Sequence, residues 1–467
     1  MRYISTRGSA PVLDFEQVTL AGLAADGGLY VPEAWPRFST EDIAGMAGLS
    51  YVETAVRVMT PFVGDSLSED ELRRLCEQAY QGRFAHAAVT PLVQLDHRNW
   101  LLELFHGPTL AFKDVALQLL GLLFERFLTG SKDHLTVVGA TSGDTGSAAI
   151  DALAGREGVD IFMLHPRGRV SDVQRRQMTT VLAPNVHNIA IDGNFDQAQA
   201  LVKAMFNDPG FSRKYALSAV NSINWARLMA QIVYYFYAAV RLGAPEREIA
   251  FSVPTGNFGD VFAGYVAAQM GLPVAKLIVA TNINDILHRA LSSGDYSVGE
   301  VTPTAAPSMD IQVSSNFERL LFDLGGRDGN ALLAQMKAFE SERKLQLTNA
   351  QREGAAGLFT SCRIEPEAMA QTLAWAHGEA GQIIDPHTAI GLAAARTVEL
   401  DSNIPVVTLA TAHPAKFGDA VERATGVRPA LPARVGDLFD REERYDVVHA
   451  TFDDVTAHIA DLATPRS

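Results

Sequence analysis

The chain has few of the features that mark secreted, metal-binding or membrane proteins. Only two cysteines, Cys76 and Cys362, occur in 467 residues, and their spacing is typical of neither a metal site nor a disulfide framework. No uncharged apolar run reaches the ~18 residues needed to cross a bilayer. The N-terminus also lacks the apolar region of a secretory signal. These absences predict a cytoplasmic protein with inert thiols and no membrane partner.

Positive charge and metal-type motifs are also scarce. The chain carries 39 Lys and Arg against 54 Asp and Glu, a net charge of -15, which argues against a nucleic-acid partner. His106, His165, His387 and His413 have no partner at a metal-ligand spacing, so we expect no metal site. No G-x-S-x-G elbow is present, which counts against a hydrolase triad.

Strand and helix patterns alternate from Pro91 onward, which predicts an α/β protein with mostly parallel sheets flanked by helices. Residues 1–95 form a separate, mainly helical block without an evident chemical centre. The periodicity alone does not divide the rest into domains, because parallel α/β units often interleave. The length allows roughly two to four domains.

One lysine lies where burial would be costly. Residues 100–105 read as a buried strand and residues 115–128 as a core helix, with start signals at Pro108 and Thr109. Lys113 then falls in the first turn of that helix. Two interpretations stay open at this point. Its stem could pack while its amine reaches water beside Asp114, or desolvation could keep the amine nucleophilic, as in Schiff-base lysines.

Three strand–loop–helix junctions are rich in Gly, Ser, Thr or Asn: residues 139–147, 254–260 and 410–419. In an open parallel sheet such loops gather at the carboxyl ends of the strands, and the following helix N-termini suit anions. The first loop lacks the lysine of a Walker loop and the G-x-G opening of a dinucleotide site. Anion-binding loops together with a buried lysine favour pyridoxal phosphate, held covalently by Lys113.

Ordered motifs along most of the chain resemble those of the threonine synthase family, in its longer form with an extended N-terminal region. The motifs are Gly28-Leu29-Tyr30-Val31-Pro32, His106-Gly107-Pro108-Thr109-Leu110-Ala111-Phe112-Lys113-Asp114, Gly139-Ala140-Thr141-Ser142-Gly143-Asp144-Thr145-Gly146, Asn221-Ser222-Ile223-Asn224, Gly256-Asn257-Phe258-Gly259-Asp260, Asp385-Pro386-His387-Thr388-Ala389 and Thr411-Ala412-His413-Pro414-Ala415-Lys416-Phe417. The resemblance implies a fold-type-II pyridoxal-phosphate enzyme. The implied reaction is the last step of threonine biosynthesis, in which O-phosphohomoserine and water give threonine and phosphate by γ-elimination and β-addition.

The resemblance also implies roles for individual residues. Lys113 would bind the cofactor aldehyde and then move protons as the catalytic base. The cofactor phosphate would bind the turn formed by Gly256, Asn257, Phe258, Gly259 and Asp260, and Thr411 would lie near the pyridine nitrogen. The substrate carboxylate would bind the loop of Thr141, Ser142, Gly143, Asp144 and Thr145. The leaving phosphate would bind a cation, for which the candidates are Lys416, Arg7 and Arg227.

One position departs from the pattern of the fold type. Many fold-type-II relatives carry Asn where Asp144 stands, and that Asn contacts the 3′-oxygen of the cofactor. A carboxylate facing a phenolate is unfavourable unless one of the two is protonated. The resemblance therefore leaves the role of Asp144 open.

The resemblance leads us to expect three parts: an N-terminal capping domain at 1–95, a large cofactor-binding α/β domain at 96–135 and 205–467, and a small α/β domain at 136–204. We expect a monomer or homodimer. Two alternatives share the fold: a phospho-lyase or dehydratase that releases a keto acid, and a non-catalytic metabolite-binding protein.

Overall fold

Apolar strands of the chain assemble into two mainly parallel sheets, and helices cover the faces of both. The computed structural model describes residues 1–130, 134–141 and 143–465. The strands within these ranges are β1 (Tyr3–Ser5), β2 (Tyr30–Pro32), β3 (Leu92–Gln94), β4 (Asn99–Glu103), β5 (Leu135–Ala140), β6 (Val159–Pro166), β7 (Val186–Ile191), β8 (Leu217–Ser218), β9 (Ile249–Pro254), β10 (Val274–Thr281), β11 (Phe359–Arg363), β12 (Val406–Ala410) and β13 (Asp446–Val448).

The helices follow the same alternation. Within the described ranges they are α1 (Phe15–Ala21), α2 (Thr40–Ala44), α3 (Tyr51–Val63), α4 (Glu69–Tyr80), α5 (Lys113–Leu128), α6 (Asp144–Leu153), α7 (Asp172–Thr179), α8 (Phe195–Asn207), α9 (Pro209–Lys214), α10 (Trp225–Arg241), α11 (Gly259–Gln269), α12 (Ile286–Ser293), α13 (Phe317–Leu324), α14 (Gly329–Glu342), α15 (Asn349–Ala356), α16 (Pro366–Gly378), α17 (Pro386–Thr397), α18 (Gly418–Thr425) and α19 (Phe452–Leu462). None of them is long and apolar enough to cross a membrane, as far as the described residues go.

The larger sheet brings three distant parts of the sequence side by side. Its strand order is β11-β10-β9-β12-β4-β3, and every neighbouring pair is parallel except β3 with β4. Strands β9, β12 and β4 are therefore neighbours with the same direction, and the loops after them leave from one edge of the sheet. This edge is where ligands bind in open α/β sheets. The predicted α/β class with mostly parallel sheets is confirmed.

The smaller sheet has the order β13-β7-β6-β5-β8 and is parallel throughout. It contains the strands expected for the small domain at 136–204. Two strands from outside these bounds, β8 and β13, form its two edges, however, and α19 packs against α8. The division into domains stays a proposal, and we add residues 217–218 and 446–462 to the small unit, because they pair or pack with it.

The N-terminal block packs on one central helix of the rest of the molecule. Helix α10 is buried on all sides, from Trp225 to Val240. Aromatic rings of α3 and α4 meet it and each other: Tyr51 lies 5.1 Å from both Tyr80 and Tyr237, measured between ring centroids. Such edge contacts add about 0.5–1.5 kcal/mol each beyond the burial of apolar area. A capping box between Ser68 and Glu71 starts α4.

The lysine-bearing helix begins later than its start signals predicted. Helix α5 starts at Lys113 rather than at Pro108 or Thr109. The intervening residues form a turn in which Leu110 has φ of +63°, a left-handed conformation that interrupts a helix. The N–H and hydroxyl of Thr109 both donate to the carboxylate of Asp114, at 2.8 and 2.7 Å. This turn fixes Lys113 as the first residue of α5.

Candidate active site

The amine of Lys113 is buried and faces a carboxylate from the other sheet. The residue is 8% exposed, and its Nζ donates a 3.4 Å hydrogen bond to Oδ2 of Asp144, the first residue of α6. Asp114 is occupied by Thr109 instead. The interpretation of Lys113 as a solvent-reaching lysine beside Asp114 is therefore wrong, because the turn before α5 uses the Asp114 carboxylate for itself.

Asp144 is shared between two lysines. Its Oδ1 lies 2.8 Å from Nζ of Lys416, and Nε2 of Gln174 donates to the same oxygen at 2.8 Å. Lys416 belongs to a short 3₁₀ turn, Pro414–Phe417, after β12, and its Nζ also donates to the carbonyl of Thr109 at 2.8 Å. The side chains of Asp144 and Lys416 are 4% and 0% exposed. The group joins the loops after β4, β5 and β12.

Burial and charge move the pKa values of this group in opposite directions. Burial lowers the pKa of Lys113; the charge of Asp144 opposes this, and the charges of Lys416 and Arg227 add to it. Burial alone would raise the pKa of Asp144, but the two lysines and the Gln174 hydrogen bond hold that pKa well below its usual range. The arrangement favours an amine that gives up its proton beside a carboxylate that stays ionised.

The loop before α6 is held by its own hydroxyl. Oγ1 of Thr141 accepts hydrogen bonds from the N–H groups of Gly143 and Gly146, both at 2.9 Å. Gly143 has φ of +143°, and a Cβ there would lie 2.3 Å from Cδ of Gln174, so only glycine fits. Thr145 is half-buried. Ser142, predicted to bind substrate, lies outside the described residues.

Two side chains from the segment just before α13 hold the loop before α11. Oγ of Ser314 donates to the carbonyl of Gly256 at 2.8 Å, and the Asn316 side chain donates to the carbonyl of Asn257 at 3.0 Å. These bonds fix the two peptide planes. No side chain among the described residues caps α11, whose first N–H groups have no partner within the helix. Free N–H groups and the positive end of the helix dipole suit an anion, as the sequence predicts for this loop.

Two glycines of this loop allow neighbouring groups to approach its backbone closely, a carbonyl at Gly256 and a side chain at Gly259. A Cβ at Gly256 would lie 2.4 Å from the carbonyl oxygen of Ser308, and one at Gly259 would lie 3.2 Å from Nδ2 of Asn316. Phe258, between them, has φ of +62° and packs its ring against Phe317 with a centroid distance of 5.2 Å. The predicted phosphate turn is thus a rigid, glycine-dependent cradle.

The side chain of Asp260 points away from this cradle. It accepts hydrogen bonds from the hydroxyls of Tyr234 and Tyr235 on α10. Burial raises the pKa of Asp260 to about 6, although both tyrosine hydrogen bonds and the charge of Lys113 lower it. Within the described part of the chain its Oδ2 is buried without a hydrogen-bond partner. The prediction that Asp260 binds the cofactor phosphate therefore rests on its backbone N–H, because its side chain is engaged by the two tyrosines.

Thr411 lies where β12 ends. Thr411 is 6% exposed, and its carbonyl accepts a hydrogen bond from the N–H of Phe112 at 2.8 Å. The backbone of Ala412 also pairs with that of Ala111. These bonds place Thr411 beside the turn that carries Lys113.

The candidate phosphate-binding cations differ in how they are neutralised. Arg7 forms ion pairs with Glu318 and Glu340, at 3.1 and 3.0 Å. Arg227 on α10 is 3% exposed and donates from Nη1 to the carbonyl of Val220 at 2.8 Å. Its Nε is buried without a hydrogen-bond partner among the described residues. Burial lowers the pKa of Arg227 to about 10, which marks a charge with little compensation.

Sequence reasoning missed the side chains that tune these groups. They are Gln174, Tyr234, Tyr235, Ser314 and Asn316. None lies in a glycine-rich loop or next to Lys113, so the sequence carries no local signal for them. In the described ranges no three His, Cys, Asp or Glu side chains gather as metal ligands would.

Three protein-family models match consecutive parts of the chain. They describe the threonine synthase N terminus at residues 2–80, a pyridoxal-phosphate-dependent enzyme at 84–354, and the threonine synthase C-terminal region at 388–459. The model for pyridoxal-phosphate-dependent enzymes covers the turn of Lys113 and both glycine loops.

Curated and solved relatives match over nearly the whole length. The threonine synthase of Pseudomonas aeruginosa is 58% identical over 449 residues, 96% of each chain. The threonine synthase of Saccharomyces cerevisiae is 43% identical over 90% of this chain and 88% of its own. A crystal structure of pyridoxal-phosphate-bound threonine synthase from Brucella melitensis superimposes with a TM-score of 0.96, at 51% identity and 99% coverage of both chains. The Escherichia coli structure gives 0.83 at 31% identity, covering 99% of this chain and 100% of its own.

Proposed function

The chain belongs to the threonine synthase family of pyridoxal-phosphate-dependent enzymes, and from this membership we propose that it converts O-phosphohomoserine and water into threonine and phosphate. The predicted family, fold type and cofactor are confirmed by the matches above. The observation that carries the proposal is the buried amine of Lys113, placed at the shared edge of three neighbouring parallel strands.

The residues present fit pyridoxal phosphate. Lys113 supplies the amine that binds the aldehyde, and the N–H groups of residues 256–260 with the α11 dipole suit the phosphate. Thr411 adjoins the Lys113 turn through the bond of its carbonyl to Phe112, which supports its role beside the pyridine nitrogen. When bound, the cofactor supplies an electron-accepting ring that stabilises negative charge on the substrate carbons.

Lys113 serves as the proton carrier of the reaction. Because burial and the nearby charges of Lys416 and Arg227 lower its pKa, a larger neutral fraction is present at neutral pH than for an ordinary lysine. The neutral Nζ takes the proton from Cα of the substrate. Asp144, 3.4 Å away, stabilises the ammonium form after the transfer.

The loop before α6 binds the substrate carboxylate. Thr141 already accepts the N–H groups of Gly143 and Gly146, so its hydroxyl shapes the loop. The N–H groups of Asp144 and Thr145 lie in the first turn of α6, where no intrahelical acceptor reaches them. We assign the carboxylate to these N–H groups and to the hydroxyl of Thr145. The Asp144 side chain is engaged with the lysines.

The leaving phosphate binds Arg227 in this proposal. Arg7 is compensated by two glutamates, and Lys416 is held by Asp144 and by a carbonyl. Arg227 keeps buried donor capacity and contributes its charge to the surroundings of Lys113. A guanidinium suits a phosphate because its donors match two oxygens at once.

We also propose where the protein is located and how it assembles. Cys76 and Cys362 are both free thiols, which is consistent with a reducing, cytoplasmic location. A monomer or homodimer is proposed, and its mass in solution by light scattering checks this. Thiol titration of the native and unfolded protein checks the cysteines.

A product assay tests the proposed reaction. Purified protein with pyridoxal phosphate and O-phosphohomoserine should release threonine and inorganic phosphate in equal amounts. Lys113→Ala should release neither product. Lys276→Ala should match the unmodified protein, because Lys276 lies near the amino end of β10, away from the edge of the sheet where the site lies. Ketobutyrate as the main product would favour the lyase alternative. No product from a pyridoxal-phosphate-loaded protein would favour the binding-protein alternative.

A further inference from the structure

Asp144 lies between two lysines that cannot serve the same purpose. Its Oδ2 faces Nζ of Lys113 at 3.4 Å, and its Oδ1 faces Nζ of Lys416 at 2.8 Å. Lys113 carries the cofactor in the proposed function. Lys416 does not carry the cofactor. It comes from the loop after β12, far along the sequence, and its side chain is completely buried.

Hydrogen bonds hold the buried ammonium group of Lys416 in place, unlike that of an ordinary surface lysine. Its Nζ has two acceptors, Oδ1 of Asp144 and the carbonyl of Thr109, each at 2.8 Å. An ammonium group has three donors, so one donor of Lys416 is left over. Burial of a lysine carries a desolvation penalty even when the lysine is paired with a carboxylate. A function for the remaining donor would account for that cost.

The chemistry of the cofactor supplies that function. Its ring carries an oxygen on the carbon next to the one that bears the aldehyde. Once the aldehyde is bound to Nζ of Lys113, this oxygen lies beside that nitrogen. Asp144 lies beside the same nitrogen, and an ionised carboxylate next to an anionic ring oxygen is unfavourable without a cation between or beside them.

We propose that Lys416 is the cation that compensates the anionic ring oxygen of the cofactor, and that Asp144 is the positioning residue that holds Lys416 there. This inference rests on the proposed function, because it requires the cofactor on Lys113. It gives Lys416 a role in the resting enzyme, before any substrate binds. It also explains how a carboxylate can occupy this place in the loop before α6.

The pair should control the proton on Nζ of Lys113 in the cofactor-bound enzyme. The charged groups that face this atom are Asp144 from α6, Lys416 from the turn after β12, Arg227 from α10 and Asp260 from α11. Loss of the Lys416 charge leaves Asp144 and the ring oxygen uncompensated, which favours the protonated nitrogen. Loss of the Asp144 charge leaves an additional cation, which favours the deprotonated nitrogen.

The experiment is a pH titration of the visible absorbance of the cofactor-loaded protein without substrate. Lys416→Gln should move the midpoint upward, and Asp144→Asn should move it downward, each by about one to three pH units, as for charges at this distance. The double variant, in which both charges are absent, should return to within about one unit of the unmodified protein. Lys276→Gln is the matched control and should not move the midpoint.

Equal midpoints in all variants, or shifts of the same sign for the two single variants, would overturn the proposal. The isosteric Asp144→Asn decides the matter alone if Lys416→Gln does not fold, since a midpoint that rises or stays contradicts the inference. An unchanged midpoint in Lys416→Gln, with weaker inhibition by inorganic phosphate, would assign Lys416 to the leaving phosphate instead. The titration needs no turnover, so a failure of this inference can be distinguished from a failure of the proposed reaction in the product assay.

Discussion

Asp144 and Asp260 occupy matching places in the two sheets and have opposite electrostatic environments. Each lies in the first turn of a helix that follows a glycine-containing loop, and each is buried. Two lysines surround Asp144 and hold its pKa well below the usual range, although burial alone would raise it. Tyrosines surround Asp260, and burial raises its pKa to about 6. The same local pattern therefore yields two different environments: a charged side, where lysines surround the carboxylate, and a neutral side, where the surrounding tyrosines are uncharged and burial opposes ionisation of the carboxyl.

The contrast assigns different work to the two sides. On the side of Asp144, Lys113 can take up and release a proton, and the ionised carboxylate stabilises the ammonium form. On the side of Asp260 the neutral tyrosines leave the helix N-terminus free to hold a phosphate through backbone N–H groups. A bound phosphate would raise the pKa of Asp260 further, because a second negative charge nearby favours the protonated carboxyl.

Removing the amine between the two sides should have the largest effect. We expect Lys113→Ala to reduce threonine formation by at least about 1,000-fold, because it removes both the covalent anchor and the proton carrier. Steady-state assays at saturating pyridoxal phosphate measure this. Activity within about tenfold of the Lys276→Ala control would contradict the role of Lys113.

Crowding the neutral side should weaken cofactor binding. In Gly256→Ala the new Cβ would lie 2.4 Å from the Ser308 carbonyl oxygen, so the loop must shift. Overpacking of this kind costs about 1–3 kcal/mol, and we expect the Kd for pyridoxal phosphate to rise roughly 5- to 150-fold. Equilibrium dialysis measures the change. Gly378→Ala is the matched control, since a Cβ there meets nothing within 4 Å. Equal affinities of the two variants for pyridoxal phosphate would contradict binding of the cofactor phosphate by the loop before α11.

Removing a cation from the charged side should affect substrate more than cofactor. We expect Arg227→Gln to lower kcat/KM for O-phosphohomoserine roughly 10- to 150-fold, the range for a lost charged hydrogen bond of about 1.5–3 kcal/mol. Inhibition by inorganic phosphate should weaken in parallel. Arg241→Gln, at the exposed end of the same helix, is the control. A normal kcat/KM in the Arg227 variant would exclude it from phosphate binding.

The two aspartates should respond to pH with opposite signs when the cofactor is absent. The folded-state pKa of Asp260 is raised above the ordinary 3.8 to about 6, so ionisation destabilises the folded state as pH rises through that window. Asp260→Asn should gain roughly 2 to 4 °C in Tm over the unmodified protein between pH 4 and pH 7. The pKa of Asp144 is lowered, so Asp144 stabilises the fold above pH ~4 and loses this effect as pH falls.

Scanning calorimetry of both asparagine variants measures this difference. Asp144→Asn should have a lower Tm than the unmodified protein at pH 7, and the gap should narrow as the pH falls below about 4. A Tm difference with the same sign and pH trend in the two variants would show that their environments are alike after all.

The sequence predicted the loops of the site better than the side chains from other elements that contact them. The glycine-containing loops and the strands before them are encoded locally, by apolar runs and by residues that tolerate tight turns. All three loops follow the strands that the pattern predicted, β5, β9 and β12. The start of α5 was predicted too early, because the Thr109–Asp114 contacts extend the turn. Arg7 was a reasonable cation from sequence, but tertiary contacts with Glu318 and Glu340 neutralise it.

The tuning partners could not be predicted because they come from other elements. Tyr234 and Tyr235 sit on a helix whose apolar pattern indicates only a core position, and Gln174 carries no signal of its own. Their effects arise when α10 and α7 pack against the loops. Likewise, nothing in residues 446–448 indicates that they would extend the edge of the small sheet.

The most direct test of the central role of Lys113 is to locate the cofactor on the chain. Borohydride reduction of the yellow, pyridoxal-phosphate-loaded protein, followed by proteolysis and mass mapping, should place one reduced pyridoxyl group on Lys113. Lys416, although buried within hydrogen-bonding distance of the same carboxylate, should remain unlabelled. A label on Lys416 or on any other lysine, or a protein that binds the cofactor without a reducible bond, would contradict the role given to Lys113.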